Sequence, residues 1–445
     1  MALLIRYGGH AVQIKSTLPG SLSRSNPGRS GRAFASSSSS PARRSLNSLP
    51  SRTALHFKES QTSDLLSLRW SSPPRNVLLV LKQCAPTATA ALKEFGQHIK
   101  DTYPDLNILL EPSTADQIEH ELPFHIHVPE SEASACNAYQ EIIDVVATFG
   151  GDGTILHAAS LFATSDRVPP ILSFSMGTLG FLGEWKFKEY KRAFREVYMS
   201  GSEVERKANL ESAPSTEEIT SHGPTGWSSI RGKSLGTARE ARVLMRNRLK
   251  VGIFDAAGER LSNNLNVPGA TKDVHAMNEV IIHRGRDPHL AIVDVFVGGR
   301  FLTEAVADGI IISTPTGSTA YSLSSGGSII HPLVSSLLLT PICPRSLSFR
   351  PLVLPAGTPI TLKLSEKNRG REVEVSIDGV RRSHGIGVGT ELRVAGEDVS
   401  RKAGVWEGGI PCIVRKTSGG VDGDDGWVGG LNSLLKFNYP FGEES

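Results

Sequence analysis

The sequence predicts an α/β amino-terminal domain built on a parallel sheet, joined to a mostly β carboxy-terminal domain. Three observations carry that expectation. From position 76 short apolar runs alternate with amphipathic helical stretches, the pattern of a parallel sheet with crossover helices. Beyond the segment 212–240 the rhythm changes to short strand-like runs and hairpin turns. The chain is 445 residues long, enough for two domains of ordinary size plus tails.

Taken in order, residues 1–58 hold seven arginines, two lysines and no acidic residue, with serine abundant and Pro and Gly interrupting any pattern. Such an Arg-rich, Ser-rich, acid-poor start reads as a disordered mitochondrial transit peptide, a generic basic tail being the alternative. The apolar run Ala2 to Ile5 is too short for a secretory signal core. Residues 59–75 read as a linker. Asn76–Leu81 is a strand, Thr87–Thr102 a helix with Ala91, Leu92, Phe95 and Ile99 on one face, Leu106–Leu110 a strand and Thr114–Leu122 a polar helix. Residues 142–148 form a central strand that runs into Gly150-Gly151-Asp152-Gly153-Thr154 and a helix to about Phe162. Ile171–Ser175 is the next strand, followed by the loop 177–181 and a helix from Lys186 to Met199, closing a first domain at 76–202. Residues 212–240, rich in Ser, Thr, Gly and charge, read as a mobile insertion in a β-rich domain spanning 203–412. Its strands are expected at 280–282, 292–297, 301–303, 309–313, 360–364, 372–377 and 391–394, with Gly298-Gly299 a hairpin turn. A last amphipathic helix, 427–435 within the terminal segment 413–445, is expected to pack back onto the first domain.

Composition excludes several classes. The net charge of +3 gives no electrostatic case for nucleic acid, and no run of about eighteen apolar residues marks a membrane span. Cys84, Cys136, Cys343 and Cys412 are scattered, and no His spacing suggests a metal site, so the protein is expected to be soluble, with reduced thiols and no protein-built metal centre.

Two segments carry chemistry. In the first, glycines bring backbone N–H groups close to an anion at the start of a helix, a candidate phosphate cradle. A carboxylate at Asp152 repels phosphate, so it either caps the helix or binds a metal or accepts a proton beside that phosphate. In the second, residues 308–324, a buried strand ends in a hydroxyl-dense loop with Tyr321, suited to ribose and base edges or else a Ser/Thr-rich linker. Asn278-Glu279 pairs an amide with a carboxylate at a strand entrance, a weak signal alone. No Walker A lysine motif and no protein-kinase motif set occurs.

Gly150-Gly151-Asp152-Gly153-Thr154 resembles the signature shared by NAD kinases, diacylglycerol and sphingosine kinases and, with a change, phosphofructokinases. Asn278-Glu279, Asp308-Gly309 and Pro315-Thr316-Gly317-Ser318-Thr319-Ala320-Tyr321-Ser322-Leu323-Ser324 follow in the order and spacing of NAD kinases, and Gly177-Thr178-Leu179-Gly180-Phe181 is similar to their second glycine loop. The tract 340–351 and the segment 283–290 look most like the fungal mitochondrial NADH kinases. The likeness covers about 76–438. It implies a Rossmann-like first domain and a two-domain NAD kinase fold, with ATP and Mg²⁺ (or another divalent cation) phosphorylating the adenosine 2′-hydroxyl of NADH or NAD⁺.

By that resemblance Asp152 accepts the hydroxyl proton, with Gly150, Gly151, Gly153, Thr154 and Phe181 around it. Asn278 and Glu279 hold the riboses, Asp308 meets the nicotinamide end, and Thr319, Ala320, Tyr321, Ser322 and Ser324 meet the adenosine. His289 falls where some members contact the nucleotide. Val306 stands where many bacterial members carry a basic residue. The resemblance further implies a homo-oligomer, dimer or tetramer, in the mitochondrial matrix. A lipid kinase sharing the glycine turn and a non-catalytic dinucleotide sensor are the competing readings; no basic amphipathic helix suits the former.

Overall fold

The first sheet follows from buried runs bounded by turns. In a computed structural model, residues 43–60, 63–177, 180–183, 185–202, 240–261, 273–383, 385–402, 405–415, 427, 431 and 435 are described. In chain order come β1 (Leu55–Lys58), β2 (Leu66–Trp70), β3 (Asn76–Leu81), α1 (Pro86–Thr102), β4 (Asn107–Leu110), α2 (Pro112–Ile118), α3 (Glu132–Ile142), β5 (Val145–Gly150), α4 (Asp152–Ser160), β6 (Ile171–Ser175), β7 (Trp185–Lys186), α5 (Tyr190–Tyr198) and β8 (Arg242–Arg246). Every residue of β3, β5 and β6 is buried, as an interior parallel sheet requires. Alternation then divides the side chains between two helical layers. Val77, Leu79, Val145, Ala147 and Phe149 meet Phe95 of α1 and Phe194 of α5, whereas Leu78, Val80 and Val146 meet Tyr139 of α3 and Ile155 and Ala158 of α4. Phe95 sits 5.2 Å from Phe149 and 5.3 Å from Phe194, edge to face.

The second domain is a sandwich of two antiparallel sheets. One holds β9 (Leu249–Phe254), β10 (Val274–Ala276), β12 (Ala291–Val297), β13 (Arg300–Ala307), β17 (Ile360–Leu364) and β21 (Glu391–Gly396). The other holds β11 (Glu279–His283), β14 (Gly309–Ser313), β15 (Ser336–Ile342), β16 (Leu352–Pro355), β18 (Glu372–Ile377), β19 (Val380–Arg381) and β20 (Ile386–Gly387). Alternate residues such as Val251, Val280, Val293, Ile312, Leu362 and Val375 fill one core between them. Gly298 and Gly299, at φ 58° and 75°, close the β12–β13 hairpin as expected. A hairpin of β22 (Ser400–Lys402) and β23 (Val405–Glu407) follows, and β24 (Ile410–Val414) returns to the first sheet.

That sheet has nine strands in the order β1-β2-β8-β24-β6-β5-β3-β4, with β7 on β6. Strands β4, β3, β5, β6 and β24 run parallel, and β8, β2 and β1 extend them antiparallel. The order reverses between β3 and β5, so a ligand crevice belongs outside their carboxyl ends, where the glycine turn stands.

The structure corrects several boundaries. Residues 43–75 are neither disordered nor a bare linker where described. Leu68 and Trp70 on β2 are buried, β1 pairs with β2, and the Arg44 amide donates to Ile126 O at 3.0 Å; basic composition upstream masked this alternation. Residues 1–42 lie outside the described residues, as do 203–239, which hold nearly all of the expected insertion. Ile142 and Ile143 close α3 and its turn instead of opening β5, because Tyr139 and Ile143 extend the apolar face of that helix. The β domain does not run unbroken from 203 to 412: β8 and β24 belong to the first sheet. At the terminus, positions 427, 431 and 435 are helical, but the Trp427 ring packs 4.7 Å from His331, a second-domain residue between the 316–324 segment and β15. Among the described residues no helix is long and apolar enough to cross a membrane, and no disulfide joins the four cysteines.

Candidate active site

The turn from β5 into α4 holds Asp152 in a way that neither sequence alternative states. Gly151 is the helix N-cap, and no side chain caps the helix. The Asp152 carboxylate instead reaches the 177–183 loop, accepting the Phe181 N–H at 3.0 Å and the Leu182 N–H at 3.2 Å. Two amide donors on different oxygens fix the plane of the carboxylate and tie the two glycine loops together. Phe181 thus enters the site through its backbone.

The glycines divide by what an added Cβ would meet. At Gly150 it would lie 2.9 Å from Thr154 Cβ, and at Gly180 2.6 Å from Asp152 Cγ, so these two are required by the protein's own packing. Beside Gly151 and Gly153 nothing lies within 4 Å, and both are exposed. Neither has a positive φ, so strain does not demand glycine at either position. The open space beside those two backbones is where a bulky anion fits.

Met277 carries the second domain to this place. It packs in one apolar cluster with Ile155, Ala158 and Leu182, which sets Asn278 and Glu279 beside α4. The backbone N–H groups of 277, 278 and 279 converge on Asp378, at 2.8, 2.7 and 3.2 Å. Asp378 stands at φ 48° and Gly379 at φ 78° in the tight turn between β18 and β19. The Asp-Gly pair between two strand-like runs is a hairpin signal; nothing local revealed that its carboxylate holds the Asn278 segment. Burial pushes the Asp378 carboxyl up, and its three N–H donors pull against that. Burial, and then the Asp378 charge, push the Glu279 carboxyl up to about 8.

Buried atoms without a protein partner cluster here. Asn278 Oδ1, Glu279 Oε2 and Ser313 Oγ make no hydrogen bond, and Ser313 is the register partner of Glu279. Each such atom costs about 1–3 kcal/mol when unpaired. Three unpaired polar oxygens, two of them on paired strand positions, suit a molecule rich in hydroxyl groups.

The hydroxyl-dense segment splits by direction. Thr314 Oγ1 donates to Met277 O at 2.7 Å, Ser318 Oγ to Pro315 O at 2.6 Å, and Ser322 Oγ pairs with Thr340 Oγ1 at 2.8 Å. Ser322 is therefore buried, with its hydroxyl paired inside the protein. Gly317 is needed because a Cβ there would lie 2.6 Å from the Asn278 carbonyl carbon. Thr319 and Ala320 are half-buried, and Tyr321 and Ser324 are exposed and free to face a ligand.

Asp308 and His289 are not brought to the glycine turn. Asp308 precedes β14, whose far end is Ser313, so it lies roughly 17 Å along the sheet from Glu279. There Arg284 Nε donates to Asp308 Oδ1 at 2.6 Å, and the His289 N–H donates to Asp287 at 2.9 Å. Asp308 is thus paired with a cation, Arg284, whose pairing with a residue 24 positions away no motif announced.

Residues 77–202 match the ATP-NAD kinase N-terminal domain and residues 277–395 the ATP-NAD kinase C-terminal domain. The chain belongs to the ATP-NAD kinase family. It is 39% identical over 406 residues to a mitochondrial NADH kinase of Schizosaccharomyces pombe, covering 89% of this chain and 86% of that protein. It is 34% identical over 424 residues to the mitochondrial NADH kinase of Saccharomyces cerevisiae, covering 89% and 88%. Among solved structures, yeast NADH kinase complexed with NADH matches at 34% identity and TM-score 0.69, over 91% of this chain and 100% of that one. The two-domain fold is therefore that of an NAD kinase, and the chain is an NADH/NAD⁺ kinase, a phosphotransferase with an alcohol acceptor. The lipid-kinase and sensor readings find no support in these matches.

Proposed function

We propose that this kinase transfers the γ-phosphoryl group of ATP to the adenosine 2′-hydroxyl of NADH, in preference to NAD⁺, in the mitochondrial matrix. The carrying observation is the constellation of a fixed Asp152 carboxylate, an open space over Gly151 and Gly153, and unpaired Asn278, Glu279 and Ser313 oxygens beside the same helix. The ribose hydroxyls pair with those oxygens. The phosphate chain lies over the glycine backbones, at the positive end of α4. Asp152 accepts the 2′-hydroxyl proton while the oxygen–phosphorus bond forms and the bond to the departing ADP breaks.

A divalent cation here would be one carried by the triphosphate, with the Asp152 carboxylate, held by the Phe181 and Leu182 amides, as a protein oxygen for it. Such a cation, Mg²⁺ by family resemblance, neutralises charge on the phosphates. Asp308, by the same resemblance, meets the nicotinamide. Its partner Arg284 already balances its charge, which removes the attraction for a cationic oxidised ring and favours the neutral reduced one.

The mitochondrial names of both relatives and the basic, acid-free first 42 residues support import. Exposed Phe301, Leu302 and Val353 on β13 and β16, the outer strands of their sheets, support assembly of the β domain into a homo-oligomer.

The deciding experiment is kcat/KM for NADH and for NAD⁺ with ATP and Mg²⁺, the product identified by mass. NADH is expected to give the higher value. An equal or higher value for NAD⁺ refutes the preference, and absence of either phosphorylated product refutes the reading of the site.

A further inference from the structure

A separate cavity of 390 Å³ opens at the seam between the domains, beyond the carboxyl end of α4. Asp166 lines it from the first domain, and His275 on β10 and Glu397 after β21 line it from the second. The His275 ring is buried and oriented: Nδ1 lies 2.9 Å from Ala163 O, and a carbonyl only accepts, so Nδ1 carries a proton. In the neutral ring, Nε2 then presents a lone pair towards Glu397 Oε1, 3.5 Å away. Two acceptors facing each other in a buried place call for a positive charge between them.

The carboxylate is held as a ligand is held. Glu397 Oε2 accepts from Arg248 Nε and from the Gly409 N–H, each at 2.7 Å, and Oε1 accepts from Arg248 Nη2 at 2.5 Å. Arg248 also donates to the Phe162 and Ser165 carbonyls, so its guanidinium is fixed as an outer partner. One ligand atom each from Asp166, His275 and Glu397 lies within 4.8 Å of the others. A metal about 2.0–2.2 Å from each needs only a modest inward turn of Asp166, which is exposed and stands at the entry.

We propose that Asp166, His275 and Glu397 form a divalent transition-metal site, of the kind zinc fills with one imidazole and two carboxylates, that clamps the two domains together. A mixed nitrogen and oxygen set with a fourth position open to water suits Zn²⁺ better than Mg²⁺ or Ca²⁺, which take oxygen ligands. The site is distinct from any cation carried by ATP. Its place gives it leverage, since His275 is three residues before Asn278 in the chain.

The full chain, stripped with chelator and free of nucleotide, is titrated with ZnCl₂ by calorimetry, and its melting is followed with and without zinc. Saturable binding of one zinc per chain with a raised melting temperature is expected. Asp166→Asn, at an exposed position that leaves folding intact, should weaken binding at least about tenfold, and His275→Gln should weaken it further. X-ray absorption at the zinc edge should show one imidazole nitrogen with oxygen neighbours and no sulfur, which separates this site from a cysteine site. No saturable binding, or binding unchanged in Asp166→Asn, overturns the proposal and leaves Glu397 to its ion pair with Arg248.

Discussion

Gly180→Ala tests the link between the two glycine loops, because the added methyl has nowhere to go except into the Asp152 carboxylate. A Cβ at 180 would lie 2.6 Å from Asp152 Cγ and 2.7 Å from Oδ2. Ordinary non-bonded separation between carbons is about 3.5–4.0 Å, so the loop or the carboxylate must give by roughly 1 Å. The Phe181 and Leu182 amides that fix the carboxylate are the next two residues, so moving the loop also moves the donors. A displacement of about 1 Å at a reacting group costs on the order of 10²-fold in rate. The variant should therefore melt somewhat earlier, because the clash strains the folded loop, and keep its affinity for NADH while kcat falls by about that factor. Steady-state kinetics at saturating ATP, with calorimetric NADH titration alongside, separates these. If Gly180→Ala kept more than about a third of the turnover, a loss of under 1 kcal/mol, Gly180 would not shape Asp152. A matching loss of binding would likewise point to a collapsed loop.

Gly153→Ala should do the reverse: nothing lies within 4 Å of its Cβ position and it sits within α4, so the fold gains roughly 0.5–1 kcal/mol while the methyl fills the phosphate space. Denaturant unfolding should show the gain and the KM for ATP should rise; an unchanged KM would move the phosphate elsewhere. Asp152→Asn keeps one acceptor for the two loop amides but loses the base, so kcat should fall by on the order of 10²–10⁴ with dinucleotide affinity nearly intact. Glu279 predicts a pH dependence. Its folded pKa, raised to about 8, exceeds an unfolded value of about 4.3, so the native state keeps a proton that the unfolded state loses and stability falls as pH rises between those values. Unfolding at several pH values should show Glu279→Gln removing up to about 1.4 kcal/mol per pH unit of that slope, and an unaltered slope would place the titration elsewhere.

Legibility in the sequence followed locality. Strands β3, β6, β14, β17 and β18 have the bounds that their apolar runs and flanking turn residues announce, because burial and chain punctuation coincide there. Strands β8 and β24 were not legible as members of the first sheet, since they pair with each other across more than 160 residues and no local pattern encodes a partner. β1 and β2 were obscured by their basic, Ser-rich surroundings. The site divides the same way. Asp152 and its glycines stand out because a strand, a turn and a helix start are contiguous. Which hydroxyls of 314–324 turn inward depends on Met277, Pro315 and Thr340, and only packing decides it. The Asp378 cap and the Arg284–Asp308 pair are long-range electrostatic facts of the same kind.

The glycines show why a motif is not one physical requirement. Gly150, Gly180 and Gly317 are needed because protein atoms already occupy the space of a side chain, and their replacement strains the folded state itself. Gly151 and Gly153 border empty space, and their replacement strains nothing in the unliganded protein. A helix start is stabilised by alanine over glycine, so stability alone selects against glycine at 153. Keeping glycine there is costly to the fold and useful only to something that approaches the backbone from outside. The same reasoning applies to the unpaired Asn278, Glu279 and Ser313 atoms, which cost stability in the absence of a donor. Both costs fall near the strand-order reversal between β3 and β5, on segments joined by the Met277 contact with α4. Phosphate and hydroxyl groups are the two features that a nucleotide combines, and on the proposed function the Asp152 carboxylate, held by the Phe181 and Leu182 amides, takes the proton when the two are joined.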